Sequence, residues 1–268
     1  MKSIKIRVSF ITFVFAVAIC TDSLAQVSGD IHKATLLESG QKTRELSTEE
    51  LRTILANGSA VVFDARPHKE FAVSHIPGAV NVAPKPGTSI ALYVSDVAEI
   101  ERVVKADKAK PIVIYCNGPF CGKSKRLAQE LLEARFTNVS RYQLGIPVWR
   151  ALGGLTQIEP EGIRYVMELD RTAVFIDARD AAEFKAATAA GSRNIPRTLL
   201  KPGKDVGEIK VAKEDGRLPM DDHNTRLIVF GGTPEQAVAV AEAIIREGFH
   251  NVSYFNGTFE QFSASLNR

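Results

Sequence analysis

The chain has 268 residues, of which 45% are hydrophobic and 24% are charged, and its formal net charge at pH 7 is +3. This length is enough for two modest globular domains, each with its own hydrophobic core. Because the net charge is small and no basic stripe runs along the sequence, we exclude nucleic acid as an expected partner.

The N-terminus has the pattern of a secretory signal peptide. Basic residues at its start precede an apolar run over residues 10–20, and small residues lead up to Ala25. This run is shorter than the ~20 residues that a bilayer-spanning helix needs. Cleavage after Ala25 is therefore favoured over an uncleaved anchor. We expect residues 1–25 to be removed, and the mature protein to be periplasmic or secreted without a stable membrane anchor.

The first part of the mature chain alternates short strands with helices. Residues 26–45 are expected to form a polar lead-in, and the capping-box sequence Ser47-Thr-Glu-Glu50 predicts the start of a helix. The remaining predicted elements here are a strand over 60–63, a helix over 69–74, a turn over 75–78, a strand over 81–82, a loop over 84–89 and a helix over about 91–106.

The next segment combines a strand, a thiol loop and a helix. The apolar, β-branched run Ile112–Tyr115 predicts a buried strand, and Lys123–Arg135 predicts an amphipathic helix. The loop between them contains Cys116 and Cys121. Because the N–H groups at a helix start are unpaired and the dipole there is positive, a thiolate or an anion is favoured in this loop. A strand over 138–142 and a short helix over 145–152 are predicted to follow.

After Gly153-Gly154, which we interpret as the start of a linker, the pattern starts again. An offset of 113 residues separates Asp64 from Asp177, Asn81 from Asn194 and Phe136 from Phe249. The chain is therefore predicted to be a tandem duplication of one α/β unit, with a parallel sheet covered by helices and a site at the carboxyl ends of the strands. The predicted units span residues 40–152 and 158–268, and the second begins with a helix over 163–169 and a strand over 173–176 and has a later strand over 227–230.

The two copies differ at the thiol. The strand Leu227–Phe230 corresponds to the strand before Cys116, but Gly231 follows it. The loop of the second copy also has no cationic side chain. We expect this copy to be inactive and to have a structural or substrate-gating role.

The two cysteines of the mature chain are expected to be reactive. Removal of the signal peptide removes Cys20 and leaves Cys116 and Cys121, which enclose four residues. An exported protein meets an oxidising environment. A disulfide that closes so short a loop constrains the unfolded chain little, so a reactive pair is favoured over a purely structural one.

Several motifs occur in the first copy: Asp64-Ala-Arg66, Glu70-Phe71, His75-Ile-Pro-Gly-Ala79, the strand that ends at Cys116, and Gly145 with Trp149. Together they resemble the rhodanese (thiosulfate sulfurtransferase) superfamily. The resemblance covers nearly all of the mature chain in two copies, and it is stronger in the first. It implies an α/β fold of two tandem rhodanese-like domains, each a parallel sheet flanked by helices. The first would be active and the second inactive.

The loop departs from the commonest family pattern. Family loops often have an arginine near their end, whereas this one has Cys121 and Lys123 and no arginine before Arg126. It is similar to a Cys-x-Gly-Pro-x-Cys subgroup of rhodanese-like domains. This departure bears on the identity of the sulfur donor more than on the cysteine nucleophile.

The resemblance implies that Cys116 is the nucleophile. Its thiolate would attack the outer sulfur of thiosulfate or a related donor and carry the sulfur as a persulfide. Three roles are open for Cys121. It takes sulfur from Cys116, it forms a disulfide with Cys116 and displaces sulfide, or it is a small apolar residue at a helix start.

Other loop residues are expected to bind the substrate, and Lys123 is expected to attract its negative charge. Asp64 and Arg66 would support the loops through charge-assisted hydrogen bonds. His75 is interpreted as a turn-stabilising residue rather than a base. No cofactor is expected, and the scattered histidines predict no metal site. The expected partners are a small sulfur-containing anion as donor and a thiol, including a protein thiol, as acceptor. The predicted substrate-binding residues are Asn117, Gly118, Phe120, Gly122, Lys123 and Ser124.

The sequence therefore predicts an exported sulfurtransferase that moves sulfane sulfur to a thiol or cyanide. Two alternatives remain. One is a thiol–disulfide oxidoreductase that uses Cys116 and Cys121, and the other is a non-catalytic binding module. A phosphatase or arsenate reductase is disfavoured because the loop lacks an arginine for the oxyanion.

Overall fold

A computed structural model describes residues 30–89 and 94–266. These residues form two five-stranded sheets, and every strand pairs in parallel with its neighbours. The predicted signal peptide lies outside the described residues. Within them, no helix has both the length and the apolar character needed to span a membrane.

The first sheet has the order β1-β5-β4-β2-β3. Because all its strands are parallel, their carboxyl ends meet at one edge of the sheet. Asp64 lies at that edge at the end of β2, while Cys116 and Gln143 directly follow β4 and β5. The strands are β1 Arg44–Glu45, β2 Val61–Asp64, β3 Val80–Asn81, β4 Ile112–Tyr115 and β5 Val139–Tyr142.

Helices cover both faces of this sheet. Along β4, Ile112 and Ile114 pack into one apolar cluster, and Val113 and Tyr115 pack into another on the opposite face. The continuous apolar run is therefore explained by burial on both sides, as is typical of a central parallel strand. The helices of this domain are α1 Thr48–Asn57, α2 His68–Val73, α3 Asp96–Val103, α4 Gly122–Glu133 and α5 Gly145–Ala151.

The predicted helix starts have different outcomes. The capping box before α1 is confirmed, because the Ser47 side chain accepts a hydrogen bond from the Glu50 N–H and the Glu50 carboxylate accepts one from the Ser47 N–H. The helix predicted over 91–106 is shorter and begins at Asp96, where the Ser95 hydroxyl caps the Ala98 N–H at 3.1 Å. Residues 91–93 of that prediction lie outside the described part of the chain.

The second domain repeats the first. Its sheet has the order β6-β10-β9-β7-β8, in which each strand takes the place of its counterpart in the first sheet. The predicted duplication is therefore confirmed at the level of topology. The strands are β6 Thr156–Ile158, β7 Val174–Asp177, β8 Arg193–Asn194, β9 Leu227–Phe230 and β10 Val252–Phe255, and the helices are α6 Pro160–Leu169, α7 Ala181–Ala186, α8 Gly207–Glu214, α9 Pro234–Arg246 and α10 Phe259–Leu266.

Two segments for which no strand was predicted contain edge strands. The lead-in contains β1, which pairs with β5, and the expected linker after Gly154 runs into β6, which pairs with β10. Neither strand was predicted, and the reason is the same for both. Each strand has only two or three residues, which is too short for a period-2 pattern to be recognised.

Backbone contacts join the two domains. The N–H groups of His75 and Gln157 each donate to the carbonyl oxygen of the other residue, at 3.0 and 2.9 Å, and the Glu159 N–H donates to the Ala72 carbonyl oxygen at 2.8 Å. Helix α6 approaches α2 so closely that a Cβ atom on Gly162 would lie 2.0 Å from the Ala72 carbonyl oxygen. The start of the second domain is therefore hydrogen-bonded through its backbone to the first domain around the His75 turn.

This interface is expected to weaken in mild acid because of His75. Burial lowers the pKa of His75 to about 4, from an ordinary value of 6.5. Between these two pH values the unfolded chain binds the proton and the folded chain does not, so the free energy of unfolding should fall as the pH is lowered through this window. The full loss is on the order of 3 kcal/mol. It is reduced by the Glu159 carboxylate, 3.4 Å from Nε2, which favours the imidazolium.

The measurement is urea unfolding at pH 7 and pH 4.5, followed by the fluorescence of Trp149, the only tryptophan in the chain. His75→Asn is the comparison, since asparagine keeps a donor but has no group that titrates in this range. The variant should be less sensitive to pH than the wild type. Equal pH dependence in the two proteins would assign the effect to other groups.

Candidate active site

The candidate site is the loop between β4 and α4. Cys116 lies at the carboxyl tip of β4, and Cys121 is the residue before the first turn of α4. The two cysteines form a disulfide, and their Cα atoms are 6.2 Å apart. Cys116 is buried, with 4% of its surface exposed, while Cys121 is partly exposed. The structure therefore holds the loop in its oxidised form.

The start of α5 packs against the backbone of this loop. The Ile146 N–H donates to the Cys116 carbonyl oxygen at 3.2 Å. Gly145 has a φ of +67°, and a Cβ atom there would lie 2.5 Å from the Cys116 carbonyl oxygen and 2.3 Å from the Gly118 nitrogen. Only glycine permits this approach of two backbones. Gly145, which the resemblance included as a motif residue, thus determines where the Cys116 backbone lies.

Gln143 holds the loop from within. Its side-chain amide lies 3.4, 3.2 and 3.2 Å from the carbonyl oxygens of Gly118, Pro119 and Cys121, to which it donates. Its side-chain oxygen accepts a hydrogen bond from the Ser124 hydroxyl at 3.2 Å. Gln143 is buried, so these bonds are shielded from competing water. This residue was not predicted from the sequence. The available signal was a polar residue directly after a strand, at the carboxyl edge of a parallel sheet.

Arg141 orients Gln143 and was also missed. Its guanidinium is fully buried and donates to the Gln143 side-chain oxygen at 2.6 Å and to the Thr43 hydroxyl at 2.8 Å. Glu38 and Glu45 lie 3.4 and 3.5 Å from it. Burial alone would raise the pKa of Glu38, but Lys125 and Arg141 lower it below its ordinary value. The lead-in therefore supplies the charges that neutralise this buried cation.

Asp64 and Arg66 form a buried ion pair beside the loop. The Arg66 guanidinium donates to both carboxylate oxygens of Asp64, at 2.5 and 3.0 Å, and to the Ser74 carbonyl oxygen at 2.6 Å. The pair ties the end of β2 to the turn that contains His75. This is the geometry of a structural brace, and no substrate contact is needed to explain it.

The cationic side chains near the loop have carboxylate partners. Lys123 Nζ lies 3.4 Å from Asp96 Oδ2, Lys125 pairs with Glu38, and Arg126 Nε lies 3.4 Å from Glu130 Oε1. That Lys123 attracts an anion stays a prediction. The ion pair with Asp96 weakens this attraction, because the carboxylate already neutralises the ammonium charge. The N–H groups in the first turn of α4 have no acceptor within the helix, so the positive end of the helix dipole also favours an anion here.

The other predicted substrate-binding residues fall into two groups. Asn117 donates its side-chain amide to Glu70 Oε2 at 2.6 Å, and the Ser124 hydroxyl is within hydrogen-bonding distance of the Cys121 carbonyl oxygen at 3.3 Å. These two residues shape the loop. In contrast, the Phe120 side chain is 100% exposed. That Asn117, Ser124 and Phe120 contact a substrate stays a prediction.

A sequence profile described as the rhodanese-like domain matches residues 47–152 and 165–265. The chain belongs to the rhodanese-like domain family. The two matched segments contain the two sheets of the structure from β2 to β5 and from β7 to β10. The predicted fold of two tandem rhodanese-like domains is thereby confirmed.

Among curated proteins, an HTH-type transcriptional regulator of Mycobacterium tuberculosis is 27% identical over 137 residues, which are 49% of this chain and 54% of that protein. The rhodanese-like chain thus spans about half the length of this curated relative.

Solved structures that match part of this chain include the following three proteins. Thiosulfate sulfurtransferase from Pseudomonas aeruginosa is 18% identical, covers 83% of this chain and 42% of its own, and gives a TM-score of 0.35. The 3-mercaptopyruvate sulfotransferase SseA from Escherichia coli is 20% identical, covers 81% and 98%, and gives 0.36. A persulfide form of EanB with ergothioneine is 16% identical, covers 83% and 61%, and gives 0.37. These likenesses concern the fold and not the reaction of this chain.

The second rhodanese-like domain keeps the brace but not the thiol. The Arg179 guanidinium donates to the Asp177 carboxylate at 2.7 Å and to the Ala187 carbonyl oxygen at 2.5 Å. The corresponding acceptors of Arg66 in the first domain are Asp64 and the Ser74 carbonyl oxygen. Gly231 occupies the position of Cys116, and the Gln236 side chain accepts the N–H of Gly232 at 2.9 Å. The duplicate site therefore offers a matched comparison in which the same scaffold lacks the sulfur.

A cavity of about 410 Å³ lies beside the domain interface, away from the thiols. Its lining includes His68, Asn81, Arg102 and Glu159 but no residue of the loop 116–124. This cavity is therefore separate from the candidate site at the loop.

Proposed function

We propose that this protein is an exported sulfurtransferase that moves sulfane sulfur from thiosulfate or a related small anion to a thiol or cyanide. The observation that carries the proposal is the position of Cys116, at the carboxyl tip of a central strand and ahead of the first turn of α4. Membership of the rhodanese-like family supports the reaction class. The proposal of export rests on residues 1–25, which lie outside the described part of the chain.

The reaction begins with reduced Cys116. Its thiolate attacks the outer sulfur of thiosulfate, the S–S bond of the donor breaks, and sulfite leaves with the bonding electrons. Cys116 then has a persulfide, whose terminal negative charge the N–H groups at the start of α4 stabilise. An acceptor thiolate or cyanide attacks the terminal sulfur and regenerates the Cys116 thiolate.

The test is intact-mass analysis of reduced protein after incubation with thiosulfate. We expect the wild type to gain one sulfur atom and Cys116→Ser to gain none, because only the first domain has a thiol at this position. Cys121→Ser is the matched control and should still gain one sulfur. The proposal is overturned if reduced wild type accepts no sulfur from thiosulfate, 3-mercaptopyruvate or a low-molecular-weight persulfide.

A second candidate function is thiol–disulfide exchange through the Cys116–Cys121 pair. The disulfide in the structure favours it. In that case Cys121→Ala would abolish the activity, because the pair cannot close. Normal sulfur transfer to an acceptor by Cys121→Ala would show that turnover does not need the pair.

A further inference from the structure

The disulfide blocks the proposed nucleophile, and its two cysteine residues are not equally exposed to solvent. Cys116 is 4% exposed and lies against the backbone of Gly145 and Ile146, whereas Cys121 is partly exposed at the outer end of the loop. A thiolate must reach a sulfur atom in order to open a disulfide, so access selects the atom that is attacked. Of the two cysteines, Cys121 is the one that is more exposed to solvent.

A large apolar side chain is exposed next to this sulfur. Phe120 directly precedes Cys121, and all of its side chain lies in solvent. Its neighbours in the loop are anchored, since Gln143 holds the carbonyl oxygens of Pro119 and Cys121 at 3.2 Å each. Exposed aromatic residues on a fixed backbone are typical anchors of protein–protein contacts.

We propose that a protein dithiol docks on Phe120 and opens the disulfide by attacking the sulfur of Cys121, which releases Cys116 as a thiolate. We call this loop a reductive gate, because Cys116 can react only after the disulfide has been reduced by attack on Cys121. The inference rests on the proposed function, because the gate has a purpose only if the released Cys116 carries sulfur. The partner is defined by its chemistry: a protein with two thiols and an apolar surface around the attacking one.

The exchange is balanced in two steps. First, one thiolate of the partner forms a bond to Cys121 Sγ, the Cys116–Cys121 bond breaks, and Cys116 leaves with the electron pair. Second, the other partner thiol loses its proton and attacks the partner's own sulfur in the mixed disulfide, which releases Cys121. The partner is oxidised to a disulfide and the loop is reduced by two electrons.

The position of Cys121 favours the second step as well as the first. Cys121 is the residue that precedes α4, a helix of twelve residues, and its side chain makes no capping hydrogen bond. The thiolate that leaves in the second step is thus next to the unpaired N–H groups of the first turn, where negative charge is stabilised.

The first test traps the mixed disulfide. Oxidised wild-type protein is mixed with a thioredoxin whose second active-site cysteine is replaced by serine, and iodoacetamide then blocks the freed thiol. Tandem mass spectrometry of the loop peptide should place the thioredoxin on Cys121 and the label on Cys116. The reverse placement, or an equal mixture of the two, overturns the proposal.

The second test examines docking. Phe120→Ser should slow reduction of the loop by intact thioredoxin at least about fivefold, the usual effect of removing an interface anchor. It should not change the rate with a small phosphine, which needs no docking surface. The matched control is Leu169→Ser, which removes another exposed side chain, 65% accessible, from the second domain. Equal rates for Phe120→Ser and the control contradict the docking role.

The gate and the sulfurtransferase proposal can fail separately. Oxidised protein should accept no sulfur from thiosulfate, and protein reduced by thioredoxin should accept one atom. If the partner is trapped on Cys116 while reduced protein still accepts sulfur, the gate is wrong and the sulfurtransferase stands. If the partner is trapped on Cys121 but reduced protein accepts no sulfur from any donor, the sulfurtransferase proposal fails, and with it the purpose of the gate.

Discussion

Replacing Asp64 with alanine is expected to lower the free energy of unfolding by about 3–5 kcal/mol, because it leaves a buried guanidinium without its counter-ion. Asp64 is fully buried, and Arg66 donates to both of its carboxylate oxygens. The loss should appear as a shift of the urea unfolding transition measured by Trp149 fluorescence, since Trp149 packs into the same cluster as Tyr115. Sulfur uptake by reduced protein should fall as well.

The duplicated domain supplies the control for this prediction. Asp177→Ala removes the same carboxylate from the pair with Arg179, next to a loop that has no thiol. This variant should lose stability in the second domain, seen by circular dichroism, but should keep sulfur uptake while it remains folded. Equal loss of uptake in the two variants would mean that uptake follows overall stability and not the brace next to Cys116.

Replacing Gly145 with alanine is expected to displace the Cys116 loop. The new Cβ atom would lie 2.3 Å from the Gly118 nitrogen and 2.5 Å from the Cys116 carbonyl oxygen, so one of the two backbones must move. We expect a loss of at least about 2 kcal/mol in the free energy of unfolding. The rate of sulfur uptake should fall about a hundredfold, because the reaction depends on the position of the sulfur to within about 1 Å.

Gly58 is the control that separates backbone strain at positive φ from a steric clash of the new Cβ atom. Gly58 has a similar φ of +62°, but a Cβ atom added there would have no other atom within 4 Å. Gly58→Ala should therefore cost only the left-handed backbone penalty of about 1–2 kcal/mol and leave the uptake rate unchanged. If Gly145→Ala has no larger effect on uptake than Gly58→Ala, the close approach to the loop has no functional role.

Much of the fold could be predicted because its signals are local or repeated. Four-residue apolar runs such as Ile112–Tyr115 mark buried strands, and the observed limits of that strand agree with the prediction. The repeat at a constant offset provided a second, independent indication of the elements next to the matched residues. The identical strand order of the two sheets confirms it. The edge strands β1 and β6 were not predicted, because two or three residues carry no usable period, whereas the equally short β3 lies within one residue of the strand expected over 81–82.

The ion pairs and hydrogen bonds that hold the site were harder to predict, because the residues that form them are distant in sequence. Glu38 and Lys125 are far apart along the chain, yet they pair, and Arg141 is neutralised by residues of the lead-in. A cation in a sequence shows its charge but not its partner. Lys123 was therefore expected to attract an anion, whereas the fold places Asp96 beside it.

The sequence by itself determined the duplication, the central strand with its thiol, and the loss of that thiol in the second copy, since each depends on residue identity and local pattern. Only the tertiary structure decided which atoms surround the thiol. It placed Gly145 against the Cys116 backbone and Gln143 against three loop carbonyls, and it left Cys121 more accessible than Cys116. The physical reason is that access and hydrogen bonding at the loop arise from strand ends that come together only when the parallel sheet forms.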